Sequence, residues 1–144
     1  MIRKIHPSEI EETVALWYTA SVKAHDFIPA EYWEAHKTEM ATAYLPNSDT
    51  YIFIENNTIG GFISMVDSFL AAIFVAVDQQ GKGIGKQLID FVKQQQSVIE
   101  LKVYKKNAPS IHFYQKQGFT LVEESLEIGT GEIECLMQWQ HQMQ

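Results

Sequence analysis

Blocks of apolar residues alternate with polar stretches along this chain, and their spacing predicts strands and helices in turn. Residues 2–5 predict a short strand that ends before Pro7. Apolar residues then recur at every third or fourth position from residue 10 to about residue 24, which predicts an amphipathic helix. Ser8 and Glu11 have the spacing of a capping box, so this helix is expected to begin near Ser8.

A second helical pattern covers about residues 30–44, and it begins directly after a proline, a residue that is favoured at the start of a helix. Residues 50–55 and 58–67 are rich in aromatic and β-branched residues. They flank the pair Asn56-Asn57, so together they predict a β-hairpin.

The middle of the chain has the order strand, loop, helix, strand. Residues 70–77 are apolar without clean alternation, as in a strand that is covered on both faces. The stretch DQQGKGIGKQL, residues 78–88, contains three glycines and leads into a helical pattern over about residues 83–96. Residues 98–104 predict the next strand, which is expected to run parallel to the preceding one because a helix connects them.

The last third of the chain predicts one more helix and one more hairpin. Residues 108–117 have helical spacing, and Gly118 is of the residue type that most often follows a helix end. Residues 119–128 and 132–140 predict two strands joined by a glycine-containing turn. The order of elements indicates a single domain over residues 1–144, of mixed α/β (α+β) class.

Composition limits the classes of protein that fit this pattern. The chain has 144 residues, 46% of them apolar, which is enough for one domain with a buried core. It has no apolar stretch of about 20 residues and no apolar segment near its start, so a soluble, cytoplasmic protein without membrane partners is expected. Cys135 is the only cysteine, which excludes an internal disulfide and a thiolate metal cluster. The formal net charge of −7 argues against nucleic acid as the main partner.

The charge is distributed unevenly along the chain. Residues 1–78 carry four cations and eleven carboxylates, whereas residues 79–116 carry seven lysines and two carboxylates. The three glycines therefore lie in the one basic part of an acidic protein, with Lys82 and Lys86 beside them. Glycines at a helix start let backbone N–H groups approach an anion closely, so the loop predicts an anion site. An ordinary strand-to-helix turn is the alternative.

Two common phosphate-binding motifs do not fit this loop. A nucleotide-triphosphate P-loop ends in Gly-Lys-Ser/Thr, but Gly85-Lys86 is followed by Gln87, and Gln80 stands where the motif begins with glycine. A dinucleotide-binding loop has the spacing G-x-G-x-x-G, and here the third glycine comes one residue too early.

Two motifs together resemble the signature of the GNAT family of N-acetyltransferases. Residues 80–85, QGKGIG, resemble its [RQ]-x-x-G-x-[GA] pyrophosphate loop, and residues 107–119, NAPSIHFYQKQGF, are similar to its N-x-x-[AS]-x-x-[FL]-Y-x-x-x-G-F pattern. The resemblance extends over the whole chain and is greatest for the small bacterial members. It implies the GNAT fold, a mixed central sheet of six or seven strands with about four helices on its two faces, in which strands 4 and 5 splay apart.

The resemblance also implies acetyl-CoA as the acetyl donor, bound between the splayed strands without a metal ion. The residues expected to bind it are Ile73, Phe74, Val75, Gln80, Gly81, Lys82, Gly83, Ile84, Gly85, Lys86, Asn107 and Tyr114. The first three would bond the pantetheine arm through their backbone, and the next seven would surround the pyrophosphate. Asn107 also has the position of a helix N-cap, and the two roles do not exclude each other.

Tyr114 matches the family's general acid. A phenol with a pKa of about 10 stays protonated at neutral pH beside a thiol whose pKa is about 8.5, although a tyrosine packed in the core is the alternative reading. The base is not identified, because Phe69 and Lys102 stand where relatives place a catalytic glutamate. The remaining candidates are His25 and, acting through water, Glu100. An acceptor that arrives as a neutral amine would require neither.

The expected reaction is transfer of the acetyl group to a primary amine: a protein lysine, a protein N-terminus or a small molecule. The candidate acceptor-binding residues are Phe27, Tyr32, Trp33 and Phe69, and the acidic first half of the chain favours a cationic acceptor. The alternative function is a CoA-binding regulatory module without turnover, which the missing glutamates would explain. The sequence leaves the oligomeric state open, with a homodimer as one alternative.

Overall fold

Seven strands form one mixed sheet, and helices pack on both of its faces. The structure is a computed structural model that describes residues 1–141. The strands are β1 (Ile2–Lys4), β2 (Asp49–Glu55), β3 (Thr58–Val66), β4 (Phe69–Val75), β5 (Val98–Tyr104), β6 (Thr120–Leu126) and β7 (Ile133–Gln140). The helices are α1 (Ile10–Ala24), α2 (Ala30–Ala35), α3 (Lys37–Glu39), α4 (Ile84–Lys93) and α5 (Ala108–Lys116). None of the helices in this part of the chain is long and apolar enough to cross a membrane.

The sheet has the strand order β1-β2-β3-β4-β5-β7-β6. Within the described residues, β4 and β5 are the one parallel pair, and all the other neighbours are antiparallel. The mixed α/β class and the parallel pairing expected from the sequence are confirmed. Asn56 and Asn57 form the predicted β2–β3 turn with φ angles of 54° and 60°, a conformation that asparagine adopts more readily than most residues.

The parallel strands β4 and β5 separate soon after they meet. They pair at Phe69 with Glu100 and at Leu70 with Leu101, and no further. The pairing of β4 with β3 skips Ala71 at the same point, because the register shifts there. A bulge of this kind bends a strand and increases its twist, so the bulge at Ala71 directs the rest of β4 away from β5. The splay expected from the family resemblance is confirmed, and the bulge gives its local cause.

Two apolar clusters cover the two faces of the sheet. Ile63 belongs to one cluster and its neighbour Phe62 to the other, and adjacent residues of a strand point to opposite faces. Leu88 of α4 packs in the first cluster and Trp17 of α1 in the second. Burial of each large apolar side chain stabilises the fold by about 1.5–3 kcal/mol, so both helices are held firmly against the sheet.

The start of α1 differs from the expected capping box at Ser8 and Glu11. A 3₁₀ turn, Pro7–Glu9, precedes the helix, and Glu9 caps the start of this turn. Its Oε1 accepts a hydrogen bond from the His6 N–H at 2.8 Å, and its carboxylate also binds the Arg3 guanidinium at 2.9 and 2.7 Å. The prediction was wrong because the ion pair with β1, which the spacing along the helix does not reveal, fixes the carboxylate of Glu9.

The second helix does not run unbroken over residues 30–44 as expected. α2 ends before His36, and α3 is a single turn. A π-helical turn follows, in which the Leu45 N–H donates to the Met40 carbonyl at 3.0 Å. The His36 Nδ1 lies 2.6 Å from the Tyr32 carbonyl oxygen, which is the acceptor that a continuous helix would offer to the His36 N–H. The side chain therefore competes with the backbone and interrupts the helix.

Candidate active site

A cleft of about 1310 Å³ opens where β4 and β5 separate. It extends from the glycine loop, residues 80–86, to the segment that joins α1 and α2. The sequence-predicted residues that line it are His25, Phe27, Tyr32, Trp33, Phe69, Ile73, Phe74, Val75, Gln80, Gly81, Gly83, Ile84, Gly85, Lys86, Asn107 and Tyr114. Lys82 and Glu100 do not line it. The structure thus brings most of the expected donor-binding and acceptor-binding residues to one cavity.

The glycine loop presents backbone N–H groups at the start of α4. Gly81 and Gly83 have φ angles of +83° and +81°, in the left-handed region that favours glycine. A Cβ at either position would meet no atom within 4 Å, so the space beside the loop is open. The first intrahelical bond of α4 runs from the Gln87 N–H to the Gly83 carbonyl at 3.1 Å. The N–H groups of residues 84–86 precede that bond and can donate to the pyrophosphate of CoA.

The polar side chains of the loop divide between the cleft and its outside. The Gln80 Nε2 donates to the Val75 carbonyl at 3.2 Å, which connects the loop to the end of β4. Lys86 lines the cleft and pairs with Asp90 one turn along α4, with Nζ 2.6 Å from Oδ2. Lys82 instead bonds a neighbouring glutamine side chain outside the cleft. Of the two lysines, Lys86 is the one placed to add positive charge inside the cavity.

β4 contributes an open backbone edge to the cleft. Beyond Leu70 it pairs with β3 alone, on one of its two edges. Backbone groups of a strand alternate between its two edges, so some N–H and C=O groups of residues 73–75 face the gap left by β5. These groups can bond the amides of an extended pantetheine arm in the manner of an added strand.

Tyr114, on α5, lines the cleft with 9% of its surface exposed. Its ring contacts Phe113 and Phe119 edge to face, at centroid distances of 5.5 and 5.9 Å. Burial raises the pKa of the Tyr114 phenol well above its usual value, because the phenolate would lose its solvation. The Tyr114 ring therefore packs in the core while its neutral hydroxyl lies at the cleft. A core role and a role as general acid are compatible in this position.

Asn107 caps α5 and contacts His25 across the cleft. Its Oδ1 accepts a bond from the Ser110 N–H at 3.3 Å, and its Nδ2 lies 3.4 Å from the His25 Nε2. The His25 Nδ1 lies 3.0 Å from the Ser21 carbonyl oxygen and must carry the proton, because a carbonyl cannot donate. Burial lowers the pKa of the His25 imidazole, so the ring is neutral and its Nε2 faces the Asn107 amide as an acceptor.

An aromatic wall forms the end of the cleft beyond β4. Trp33 stacks on His25 with a centroid distance of 5.0 Å and meets Tyr32 edge to face at 5.0 Å. Phe27 contacts His25 at 5.8 Å. Trp33 is 7% exposed, and its indole N–H has no hydrogen-bond partner in the described part of the chain. The wall is therefore apolar, with one unused donor.

Glu100, one of the two candidate bases, does not line the cleft. It is the β5 residue opposite Phe69 on β4 and Gln138 on β7. Its Oε2 accepts a bond from the Gln138 Nε2 at 3.3 Å. The hydrogen bond of this carboxylate is therefore made within the sheet, to the neighbouring strand β7.

Three other carboxylates line the cleft, Asp26, Glu127 and Glu134, and the sequence patterns indicated none of them as site residues. Asp26 is exposed, whereas Glu127 and Glu134 lie at the β6–β7 hairpin. The Tyr104 hydroxyl donates to Glu127 Oε1 at 2.7 Å, and the Thr130 hydroxyl donates to the same oxygen at 2.6 Å. Burial raises the pKa of the Glu134 carboxyl, and repulsion from Glu127 raises it further, while Lys102 opposes the shift. Glu134 lies opposite Tyr104 because β7 inserts between β5 and β6. The sequence pattern does not reveal this strand order, so it could not predict that Glu134 lies at the cleft.

Sequence comparison places the chain among acetyltransferases. Residues 46–121 match the family profile described as "Acetyltransferase (GNAT) domain". The chain is 37% identical over 140 residues to the peptidyl-lysine N-acetyltransferase YiaC of Escherichia coli K12, with 96% of each protein covered. It is 27% identical over 125 residues to the peptidyl-lysine N-acetyltransferase YjaB of the same organism, with 86% of this chain and 84% of YjaB covered.

Comparison of the folds gives a consistent result. The solution structure of apo YjaB from Escherichia coli superposes with a TM-score of 0.85 at 25% identity, covering 96% of both chains. The PaiA N-acetyltransferase of Thermoplasma acidophilum, solved in complex with coenzyme A, superposes with a TM-score of 0.82 at 18% identity and covers 98% of both chains. The two folds therefore match this one from β1 through β7.

Proposed function

The chain belongs to the GNAT acetyltransferase family, as its two motifs indicated, and from that premise we propose that it acetylates the ε-amine of lysine side chains in proteins. It is an acetyl-CoA-dependent N-acetyltransferase of this family. The lysine acceptor and the residue roles given below are the proposed part. Support for lysine comes from YiaC, a relative of nearly the same length that is named for peptidyl-lysine acetylation.

The observation that carries this proposal is the continuity of the cleft. One end is the open glycine loop, residues 80–86, which forms an anion cradle, and the other end is an aromatic wall with the carboxylates Glu127 and Glu134 beside it. Tyr114 lines the same cavity as both ends. A thioester held by the cradle and a cationic amine held at the acidic end would therefore meet in one space, from which bulk water is partly excluded.

On the donor side, acetyl-CoA supplies an acyl group activated as a thioester. The N–H groups of residues 84–86 and the Lys86 ammonium would hold its pyrophosphate, since hydrogen bonds to a charged group contribute about 1.5–3 kcal/mol each. The open edge of β4 at residues 73–75 would hold the pantetheine arm and aim the thioester into the gap beside β5. Asn107, at the start of α5, would contact the donor near the thioester.

On the reacting side, the neutral amine nitrogen attacks the thioester carbonyl carbon, and the C–S bond breaks as the C–N bond forms. Tyr114 would donate its phenol proton, or a hydrogen bond, to the departing thiolate. The raised pKa of this phenol keeps it protonated throughout the neutral range, so the donor is always present. His25 is held on both ring nitrogens by Ser21 and Asn107, which favours a positioning role over that of base.

On the acceptor side, a lysine side chain fits the character of the cavity. Its methylene stem can pack on Phe27, Tyr32 and Trp33, while its ammonium lies near carboxylates. Cation–aromatic attraction adds about 0.5–2 kcal/mol where a ring faces the ammonium. A small polyamine carries the same positive charge as a lysine side chain but has no peptide backbone. The backbone oxygens of a lysine peptide could accept a hydrogen bond from the unused Trp33 N–H.

The experiment that tests this function is an acetyl-CoA turnover assay with matched peptides. One peptide carries a free lysine and a blocked N-terminus, and its partner carries an acetylated lysine and a free N-terminus. Turnover is expected with the first peptide and not with the second. The reverse result would make the protein an N-terminal acetyltransferase. Tight CoA binding without turnover of any peptide or small amine would favour the regulatory module.

A further inference from the structure

Glu127 and Glu134, here called the carboxylate pair, are the feature of the cleft to which the two family motifs assign no role. We propose that this pair removes the proton of the acceptor ammonium, with Glu134 as the proton acceptor and Glu127 as the group that binds the ammonium beside it. The inference rests on the proposed function, because it concerns the same cleft and an amine acceptor.

The carboxylate pair is held rigidly by the β6–β7 hairpin. The Glu127 N–H donates to the Glu132 carbonyl at 2.8 Å, and the Glu127 carbonyl accepts from the Gly131 N–H at 2.8 Å. The Glu127 side chain is fixed as well, since the Tyr104 and Thr130 hydroxyls both bond its Oε1. A carboxylate with its backbone and one oxygen fixed is pre-organised to bind a cation at the cleft.

Neither carboxylate of the pair forms a salt bridge within residues 1–141, and the nearby lysines Lys105 and Lys106 are paired with Glu124 and Glu132. Lys102 lines the same cleft, and its charge acts on Glu134. The negative field of the pair reaches the aromatic wall, because Glu127 adds to the effect of burial in raising the pKa of the Tyr32 phenol. The carboxylate pair thus acts on the aromatic wall from the side where a substrate ammonium can bind.

A second feature of this part of the cleft also indicates a ligand. Tyr104, which bonds Glu127, packs edge to face on His25 at 5.2 Å, and His25 in turn stacks on Trp33. The Trp33 indole N–H is buried without a partner among the described residues, a costly state unless an acceptor atom occupies the space. An acceptor substrate could bind the carboxylate pair through its ammonium and accept from the Trp33 N–H through a carbonyl or hydroxyl oxygen. It would then satisfy the carboxylates and the buried indole N–H together.

The two carboxylates differ in their ability to take a proton. The Glu127 Oε1 already accepts two hydroxyl hydrogen bonds, whereas Glu134 has a pKa raised by burial and by the charge of its neighbour. A carboxylate with a raised pKa is a stronger base toward an ammonium ion. Glu134 is therefore the better proton acceptor of the pair.

The protons balance over one turnover. Glu134 takes one proton from the ammonium, and the resulting neutral amine attacks the thioester carbon. The nitrogen then carries one excess proton, while the departing thiolate takes the phenol proton of Tyr114. The excess proton on nitrogen restores the phenol, directly or through water, and Glu134 releases its proton to solvent. The products are the amide, CoA thiol and one proton.

The test compares Glu134→Gln, Glu127→Gln and the parent with two acceptors. The lysine peptide with a blocked N-terminus is an ammonium at neutral pH, and an aromatic primary amine is already neutral there. For the lysine peptide, kcat/KM of Glu134→Gln is expected to fall about 100-fold. It should then rise tenfold per pH unit toward the lysine pKa of about 10.4, where the parent shows a plateau. For the aromatic amine, Glu134→Gln should stay within a few-fold of the parent.

Glu127→Gln is expected to raise KM for the lysine peptide more than it lowers kcat, because it weakens ammonium binding without removing the base. CoA affinity, measured by calorimetry, should be unchanged in both variants. Parent-like pH profiles in both variants would overturn the inference, and so would an equal loss with both acceptors, which indicates a structural role. If the parent itself acetylates neither acceptor, the proposed function fails first and this inference with it.

Discussion

The Nε2 of His25 lies 3.4 Å from the Nδ2 of Asn107, although the two residues are 82 positions apart in the chain. His25 follows the last residue of α1, and Asn107 precedes the first residue of α5. The contact connects the aromatic wall of the cleft with the helix that carries Tyr114. Local changes at either residue are therefore expected to affect both halves of the site.

Substitutions of Asn107 can separate its cap from its other contacts. Asn107→Ser keeps a side-chain oxygen that can accept from the Ser110 N–H, whereas Asn107→Ala removes it. We expect Ala to lower the free energy of unfolding by about 1 kcal/mol relative to Ser. Both variants lose the amide, so both should bind CoA more weakly than the parent and to the same extent. Chemical denaturation and calorimetry measure the two effects. Parent-like CoA affinity in both variants would limit Asn107 to capping.

The neutral His25 imidazole predicts a pH-dependent stability. Because burial lowers its folded-state pKa below the unfolded value of about 6.5, the unfolded chain binds the extra proton first as the pH falls. The free energy of unfolding should be at its full value above about pH 6.5 and decrease below it, until the folded-state pKa is passed. His25→Phe keeps an aromatic ring against Trp33 and cannot be protonated. Denaturant titrations between about pH 7.5 and 5 should show a smaller decrease in the variant. Equal decreases in both proteins would contradict a lowered pKa.

Local signals in the sequence predicted most of the fold but only part of the site. Residues 98–104 have the bounds of β5, and Asn56-Asn57 form the turn that their type indicates, because both patterns depend on short segments alone. The bulge at Ala71 arises from the register between β3 and β4. Glu134 reaches Tyr104 because β7 lies between β5 and β6. Periodicity along one strand has no information on its neighbours, so the carboxylate pair was not predictable from it.

Tyr114→Phe tests the proposed general acid with little structural change. The variant lacks only the hydroxyl, and the ring contacts with Phe113 and Phe119 remain. We expect kcat to fall by about 10²–10⁴-fold, the usual contribution of a positioned acid, while CoA affinity stays within a few-fold. Steady-state kinetics and calorimetry provide the two values. A variant with the kcat of the parent would remove Tyr114 from the mechanism.

Gly83→Val tests the anion cradle, and Gly131→Val is its matched control. Both glycines have positive φ, +81° and +74°, and a Cβ at either would meet nothing within 4 Å. Backbone strain should therefore destabilise the two variants similarly, by about 1–2 kcal/mol. The two positions differ in place, since Gly83 immediately precedes α4 and Gly131 lies in the β6–β7 turn.

CoA binding should separate these two variants. The valine at position 83 would fill the space that the pyrophosphate needs and shift the first N–H groups of α4, so calorimetry is expected to detect no CoA binding. Gly131→Val should bind CoA like the parent, because Gly131 does not line the cleft and lies far along the chain from the glycine loop. Loss of binding in both variants would mean that general destabilisation explains the effect. Unchanged CoA affinity in Gly83→Val would show that the pyrophosphate binds elsewhere. A branched side chain at position 83 occupies the space beside the loop, so the pyrophosphate could not lie there.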